Sequence, residues 1–175
     1  MLVALAAGEG LGVAPFATFA WSSRGLAAGI AATAPLLLGL QWCRRTRFGP
    51  VARLVRLVEA RLAPWLAGAR PAELVLVAVL AGVGEEALFR GVMQAALAER
   101  LPGWSAVALT GVAFGLAHAL TATYAVLAAL VGAYLGWLQL AGGNLLVPIV
   151  THALYDVVAL RFLLDVKETP PSSVL

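Results

Sequence analysis

The chain has 175 residues and a formal net charge of +3; 62% of it is hydrophobic and only 12% charged. Soluble domains run at about 45–50% and about 25%. This chain therefore has too few charged groups to coat a water-facing surface, and disorder, which needs the opposite balance, is excluded. One cysteine, Cys43, leaves no disulfide framework. The positive charge does not point to nucleic acid, because seven of the twelve basic residues lie between Arg44 and Arg70, in one loop between hydrophobic runs. Such an excess marks a cytoplasmic loop of a membrane protein.

A membrane-crossing helix needs about 20 mostly apolar residues. Six runs qualify in chain order: Leu2–Ala20, Gly25–Cys43, Ala72–Leu97, Trp104–Leu120, Thr123–Leu140 and Leu145–Leu164. The first is interrupted by Glu9 and three glycines. A cleaved signal segment ending at Thr18-Phe19-Ala20 is the alternative there, though a basic leader is missing. Ser22-Ser23-Arg24, Arg100-Leu101-Pro102-Gly103 and Gly142-Gly143-Asn144 separate successive spans. Between the second and third runs, Val51, Leu54, Val55, Val58, Leu62 and Leu66 recur at helical spacing, with Arg53, Arg56 and Arg61 mainly off that stripe. This predicts an amphipathic helix over 51–66, on the inner membrane surface or packed on the bundle.

The expected fold class is thus an all-α integral membrane protein: one domain over 1–175, about six transmembrane helices and one interfacial helix, with a motif-bearing core at 72–164. With the Arg-rich loop inside, six helices put both termini on the cytoplasmic side of the cytoplasmic membrane. Trp42, Trp104 and Trp137 read as interfacial anchors. Gly132 and Gly136 form a Gly-xxx-Gly spacing suited to a close helix contact.

Ionisable residues inside a span cost at least about 2.5–3.5 kcal/mol and are functional candidates by default. Glu85, Glu86 and Arg90 lie in the third run, His118 ends the fourth, and His152 and Asp156 lie in the sixth; both histidines of the chain are in this set. Glu86 and Arg90, at i,i+4, can pair as a structural couple. Glu85 projects about 100° away and can enter a separate cavity. His152 and Asp156 share the i,i+4 spacing, as do Phe114 and His118. Counting about 1.5 Å per residue from the turns brings Glu85 level with His118 but leaves His152 about 10 Å short.

A carboxylate in an apolar cavity can take and return a proton near neutrality, with a histidine beside it to share the water. A second histidine and a polar partner can donate to the oxyanion formed when water attacks an amide. No Gly-x-Ser-x-Gly nucleophile is present.

Glu-Glu-x-x-x-Arg, Phe-x-x-x-His and His-x-x-x-Asp, in that order on separate spans, resemble the CPBP family, the CAAX-protease and bacteriocin-processing (Abi) membrane proteins. The resemblance covers about Ala72 to Leu164. It implies an intramembrane glutamic endopeptidase that needs no cofactor or metal and acts on a membrane-anchored protein or peptide, such as a C-terminal anchor or CAAX-like segment. On the matching positions Glu85 and His118 would activate water, His152 and Asp156 would form the oxyanion site, and Glu86, Arg90 and Phe114 would support them. The last position is often Asn in CAAX-processing members. An ionised Asp156 cannot donate, so it must be protonated or orient His152. Two other readings stay open: a metal-dependent hydrolase with Glu85, His118 and His152 as ligands, and a non-enzymatic transport or immunity protein.

Overall fold

The structure, a computed structural model, describes residues 1–66 and 68–165. Among these residues every regular element is helical. In order they are α1 (Leu2–Leu11), α2 (Ser23–Arg45), α3 (Gly49–Leu66), α4 (Pro71–Glu86), a π-helical segment (Ala87–Gln94), α5 (Ala95–Ala98), α6 (Gly103–Ala117), α7 (Ala122–Gly142) and α8 (Leu146–Asp165).

Among the described residues three helices are long and apolar enough to cross a membrane: α2, α7 and Leu146–Leu163 of α8. Their ends follow from local chemistry. The Ser22 hydroxyl accepts from the Gly25 amide at 3.0 Å and the Thr121 hydroxyl from the Tyr124 amide at 3.1 Å, each satisfying an otherwise orphan donor. Arg44 and Arg45 occupy the last turn of α2, where the helix dipole favours cations. Gly143, at φ 61°, closes α7 in the left-handed conformation that glycine adopts without a side-chain penalty. Pro71 starts α4 at a position that needs no amide donor. Residues 71–98 run as one continuous helical path whose middle widens into the π segment.

The expected first span, Leu2–Ala20, is not a single helix. α1 stops at Leu11, because Gly12 turns left-handed at φ 69° and Pro15 follows. Its 10 residues rise about 15 Å, half of the hydrocarbon thickness. The chain then threads irregularly along the bundle, and its polar backbone groups find partners there. The Thr18 carbonyl accepts from the Leu145 amide at 3.2 Å. The Asn144 side chain accepts from the Ala20 amide at 3.1 Å and donates to the Ala20 carbonyl at 2.8 Å. The Gln139 amide donates to the Thr18 hydroxyl at 3.0 Å. α6, with 15 residues, is also shorter than the run Trp104–Leu120, and His118 caps it.

The outer faces are apolar: Leu38 is 72% exposed, Leu130 63% and Leu80 63%. So much exposed hydrocarbon suits lipid rather than water. α3 packs on the bundle beside α2, α7 and α8. Val51 and Leu54 are buried, while Arg53, Arg56 and Arg61 face outward.

Candidate active site

The two adjacent glutamates end in different environments. Glu86 is fully buried, and its Oε1 accepts from Arg90 Nη1 at 2.9 Å and from His152 Nδ1 at 2.7 Å. The other terminal nitrogen of Arg90 donates to the Gly132 carbonyl, and the guanidinium lies 4.9 Å above the Phe114 ring. A methyl group at residue 132 would come within 2.8 Å of Phe114, so the glycine lets helix and ring close up. One turn on, Gln94 donates to the Gly136 carbonyl at 3.0 Å. The Gly-xxx-Gly pair of α7 therefore supplies two carbonyls to two polar side chains of the π segment.

Glu85, about 100° around the helix, opens instead into a cleft, its side chain one-third exposed at 33%. Its Oε2 is 3.4 Å from His118 Nε2 and 4.0 Å from His152 Nε2. The His118 Nδ1 is 2.8 Å from the Phe114 carbonyl, which only accepts, so Nδ1 is the protonated nitrogen and Nε2 is the one turned to Glu85. Phe114 fixes both rings: it stacks on His118 at 4.3 Å and meets His152 edge-on at 5.9 Å. Asp156 Oδ2 lies 3.5 Å from His152 Nε2 without a hydrogen bond between them. His152 thus gives its own hydrogen bond to Glu86, a pairing 66 positions apart that helix spacing alone cannot reveal.

Glu85, His118, His152 and Asp156 accordingly converge. The roughly 10 Å offset counted for His152 assumed unbroken α-helix, whereas residues 143–145 are not helical and residues 87–94 form a π segment. Residue 82 of α4 abuts Ala153, which places the start of α8's polar face beside the two glutamates.

The cleft has a volume of about 510 Å³ and is lined mostly by apolar side chains of α2, α3, α7 and α8. The amphipathic stripe of α3 contributes Leu54, Val55, Val58 and Leu62 to its wall. Tyr124 and Tyr155, which the sequence did not single out, also line it; both follow polar or reactive residues closely in the chain, but a tyrosine in an apolar run gives no distinct signal. Glu85, His118, His152 and Asp156 are among its polar lining, together with Arg44 and Glu59. Among the described residues no group of three His, Cys, Asp or Glu side chains is arranged to hold a metal ion.

Such an arrangement can polarise a water at Glu85 and His118 while a histidine ring waits opposite, within an apolar enclosure. No curated protein and no solved structure matches the chain. A family model does, over residues 67–158, a segment that carries Glu85, Glu86, Arg90, Phe114, His118, His152 and Asp156. With that match covering more than half its length, the chain belongs to the family of type II CAAX prenyl endopeptidase Rce1-like proteins, a protease family.

Proposed function

We propose that the chain is an intramembrane endopeptidase of the CAAX type, which hydrolyses a peptide bond of a membrane-anchored protein with a water activated by Glu85 and His118. The observation that carries this reading is the 3.4 Å approach of Glu85 Oε2 to His118 Nε2 in a largely apolar cleft.

The chemistry balances with one water. Glu85 takes a proton from water hydrogen-bonded to His118 Nε2, and the hydroxide adds to the scissile carbonyl carbon. The oxyanion accepts from a His152 Nε2 proton, while Nδ1 stays engaged with Glu86. Asp156, 3.5 Å from Nε2, favours the proton there through its charge without taking it up. Glu85 then passes its proton to the departing amine nitrogen as the C–N bond breaks. Glu86 and Arg90 hold His152 in register and take no part in bond making.

The membrane arrangement that fits this reading has five crossings: α2, the 71–98 path, α6, α7 and α8. The Arg-rich segment and the C-terminal end face the cytoplasm. α1 enters the bundle as a half-span beside the π segment.

The test is Glu85→Gln, which keeps shape and hydrogen bonding but removes the base. Cleavage of a lipidated peptide by the purified protein in detergent should fall by at least about a hundredfold, the lower range for a general base. Full activity in that variant would end the glutamate-and-water mechanism.

A further inference from the structure

The oxyanion of the mechanism above has one donor, His152 Nε2. Such an oxygen has room for a second, and losing one donor of a pair costs about a hundredfold to a thousandfold in turnover. Asp156, beside His152, only accepts when ionised. The cleft holds another O–H group. Tyr124 lines it together with Glu85, His118, His152 and Asp156. The local sequence places this side chain. His118 caps α6, and three residues later the Thr121 hydroxyl opens α7 by accepting from the Tyr124 amide at 3.1 Å. Tyr124, in the first turn of α7, therefore comes back against His118, with ring centroids 6.5 Å apart and planes at 87°. A tyrosine near the end of a membrane helix is common in its own right. What is particular is that this one borders the cleft and that its hydroxyl has no hydrogen-bond partner among the described residues. Tyr134, farther along the same helix, donates to the Ala32 carbonyl at 2.8 Å. The charges of Asp156 and Glu85 both act on the Tyr124 hydroxyl, which sets it among the reacting groups. Tyr155, also on the cleft, has Cys43 of α2 in its surroundings.

We propose that the Tyr124 hydroxyl is the second donor to the oxyanion, in the role that an ionised Asp156 cannot fill. This rests on the peptidase reading above and adds one catalytic residue to it. A phenol keeps its proton at neutral pH, and its O–H makes a short, strong bond to an oxygen that carries negative charge. The proton stays on the tyrosine throughout, so the balance of the reaction is unchanged. Because the hydroxyl is unengaged in the resting site, no existing bond has to break before it turns to the oxyanion. The bond strengthens as charge develops on the scissile carbonyl oxygen, which is the condition for lowering the barrier rather than for holding substrate. The edge-on contact with His118 keeps the phenol ring beside the water-activating pair while it does so.

The test is Tyr124→Phe in the full chain, which removes one oxygen atom and keeps the ring. Cleavage of an internally quenched, S-alkylated peptide is followed in detergent over a range of peptide concentrations. The substitution should lower kcat by at least about tenfold, toward the full cost of an oxyanion donor, and leave KM within about twofold. A smaller fall in kcat overturns the proposal, and so does a loss carried by KM, which would mark a substrate contact. The second arm repeats the pair in a chain carrying Asp156→Asn, whose amide supplies an N–H at that position. There Tyr124→Phe should cost about twofold or less, because a second donor is again present. An undiminished penalty in that chain would show the hydroxyl doing something other than replacing a missing donor, and overturns the assignment. Tyr155→Phe removes a hydroxyl from the same cleft and should keep the wild-type kcat; an equal loss there would trace the effect to cleft polarity and overturn it as well. If Glu85→Gln abolishes cleavage while Tyr124→Phe leaves kcat unchanged, the peptidase reading stands and this donor is wrong. If Glu85→Gln is fully active, the glutamate-and-water reading fails and the donor falls with it.

Discussion

Glu85 and Glu86 are neighbours in sequence, yet substituting each by Gln should fail in a different way. Glu86 is 0% exposed, and one of its oxygens receives both Arg90 and His152. Glu86→Gln removes the charge and leaves the buried Arg90 guanidinium facing only the Gly132 carbonyl and the Phe114 ring. Removing one partner of a buried ion pair costs about 3–5 kcal/mol. Total stabilities are about 5–15 kcal/mol, so the loss is a large fraction of what holds the bundle together. Glu85 is one-third exposed and holds no hydrogen bond in the resting site. Its replacement by Gln keeps the shape and breaks no hydrogen bond, so it should cost clearly less stability than Glu86→Gln. The assay is retention of the monodisperse, folded protein in detergent after stepped heating, with cleavage measured on the same samples. Glu85→Gln should keep the wild-type transition and lose turnover. Glu86→Gln should shift the transition downward and lose turnover only in proportion to the protein lost and to the freed His152 ring, and Arg90→Gln should match it. Equal thermal transitions for the two glutamate variants would refute the division between a structural and a reacting carboxylate.

Three other outcomes are expected. Gly91→Ala should destabilise the fold by about 1–3 kcal/mol, the usual cost of overpacking, because its new methyl would collide with the Pro15 carbonyl; an unchanged thermal transition would show that the N-terminal segment does not brace the π segment. Strong chelators should leave cleavage unaltered, whereas loss of activity that zinc restores would favour the metal-dependent reading. Cysteines introduced at Ser105 and at Ala69 should be labelled from opposite faces of sealed vesicles, and labelling from one face would overturn the five-crossing arrangement.

The site was legible where helix geometry alone decides it. Glu86 and Arg90 sit one turn apart, so their pairing follows from spacing, and the 100° step to Glu85 follows equally. The ordering of charged residues within apolar runs then singles out four residues that the fold brings together. Long-range partners were not legible. His152 and Asp156 share a helix face as spacing requires, but the hydrogen bond of His152 goes to Glu86 on α4, a choice made by packing between helices. The π turns carry no apolar rhythm that differs from an α-helix. The first run is long enough to span by count, but its interruptions decide: Gly12 turns left-handed and, with Pro15, ends the helix at Leu11. The stripe of α3 was read correctly as amphipathic, but sequence cannot say whether lipid or a protein cleft receives it; here its apolar side chains line the cleft.

The junction between α4 and the π segment explains why one pair of adjacent carboxylates can serve two purposes. At Glu86 the chain faces inward, where Arg90 and His152 donate to the buried carboxylate and the Gly132 carbonyl takes the other arm of Arg90. At Glu85 it faces the cleft, where no cation is closer than the two histidines and a water can enter. His152 belongs to both sides: its Nδ1 is fixed by the dry carboxylate and its Nε2 points to the wet one. In the proposed mechanism a ring held at one nitrogen cannot rotate away when charge develops at the other, and the buried ion pair would then anchor the open site. Moving the anchor one residue along the helix would turn it out of the core by about 100°. The order Glu-Glu, open first and buried second, is therefore dictated by which face of the helix meets Arg90 one turn later.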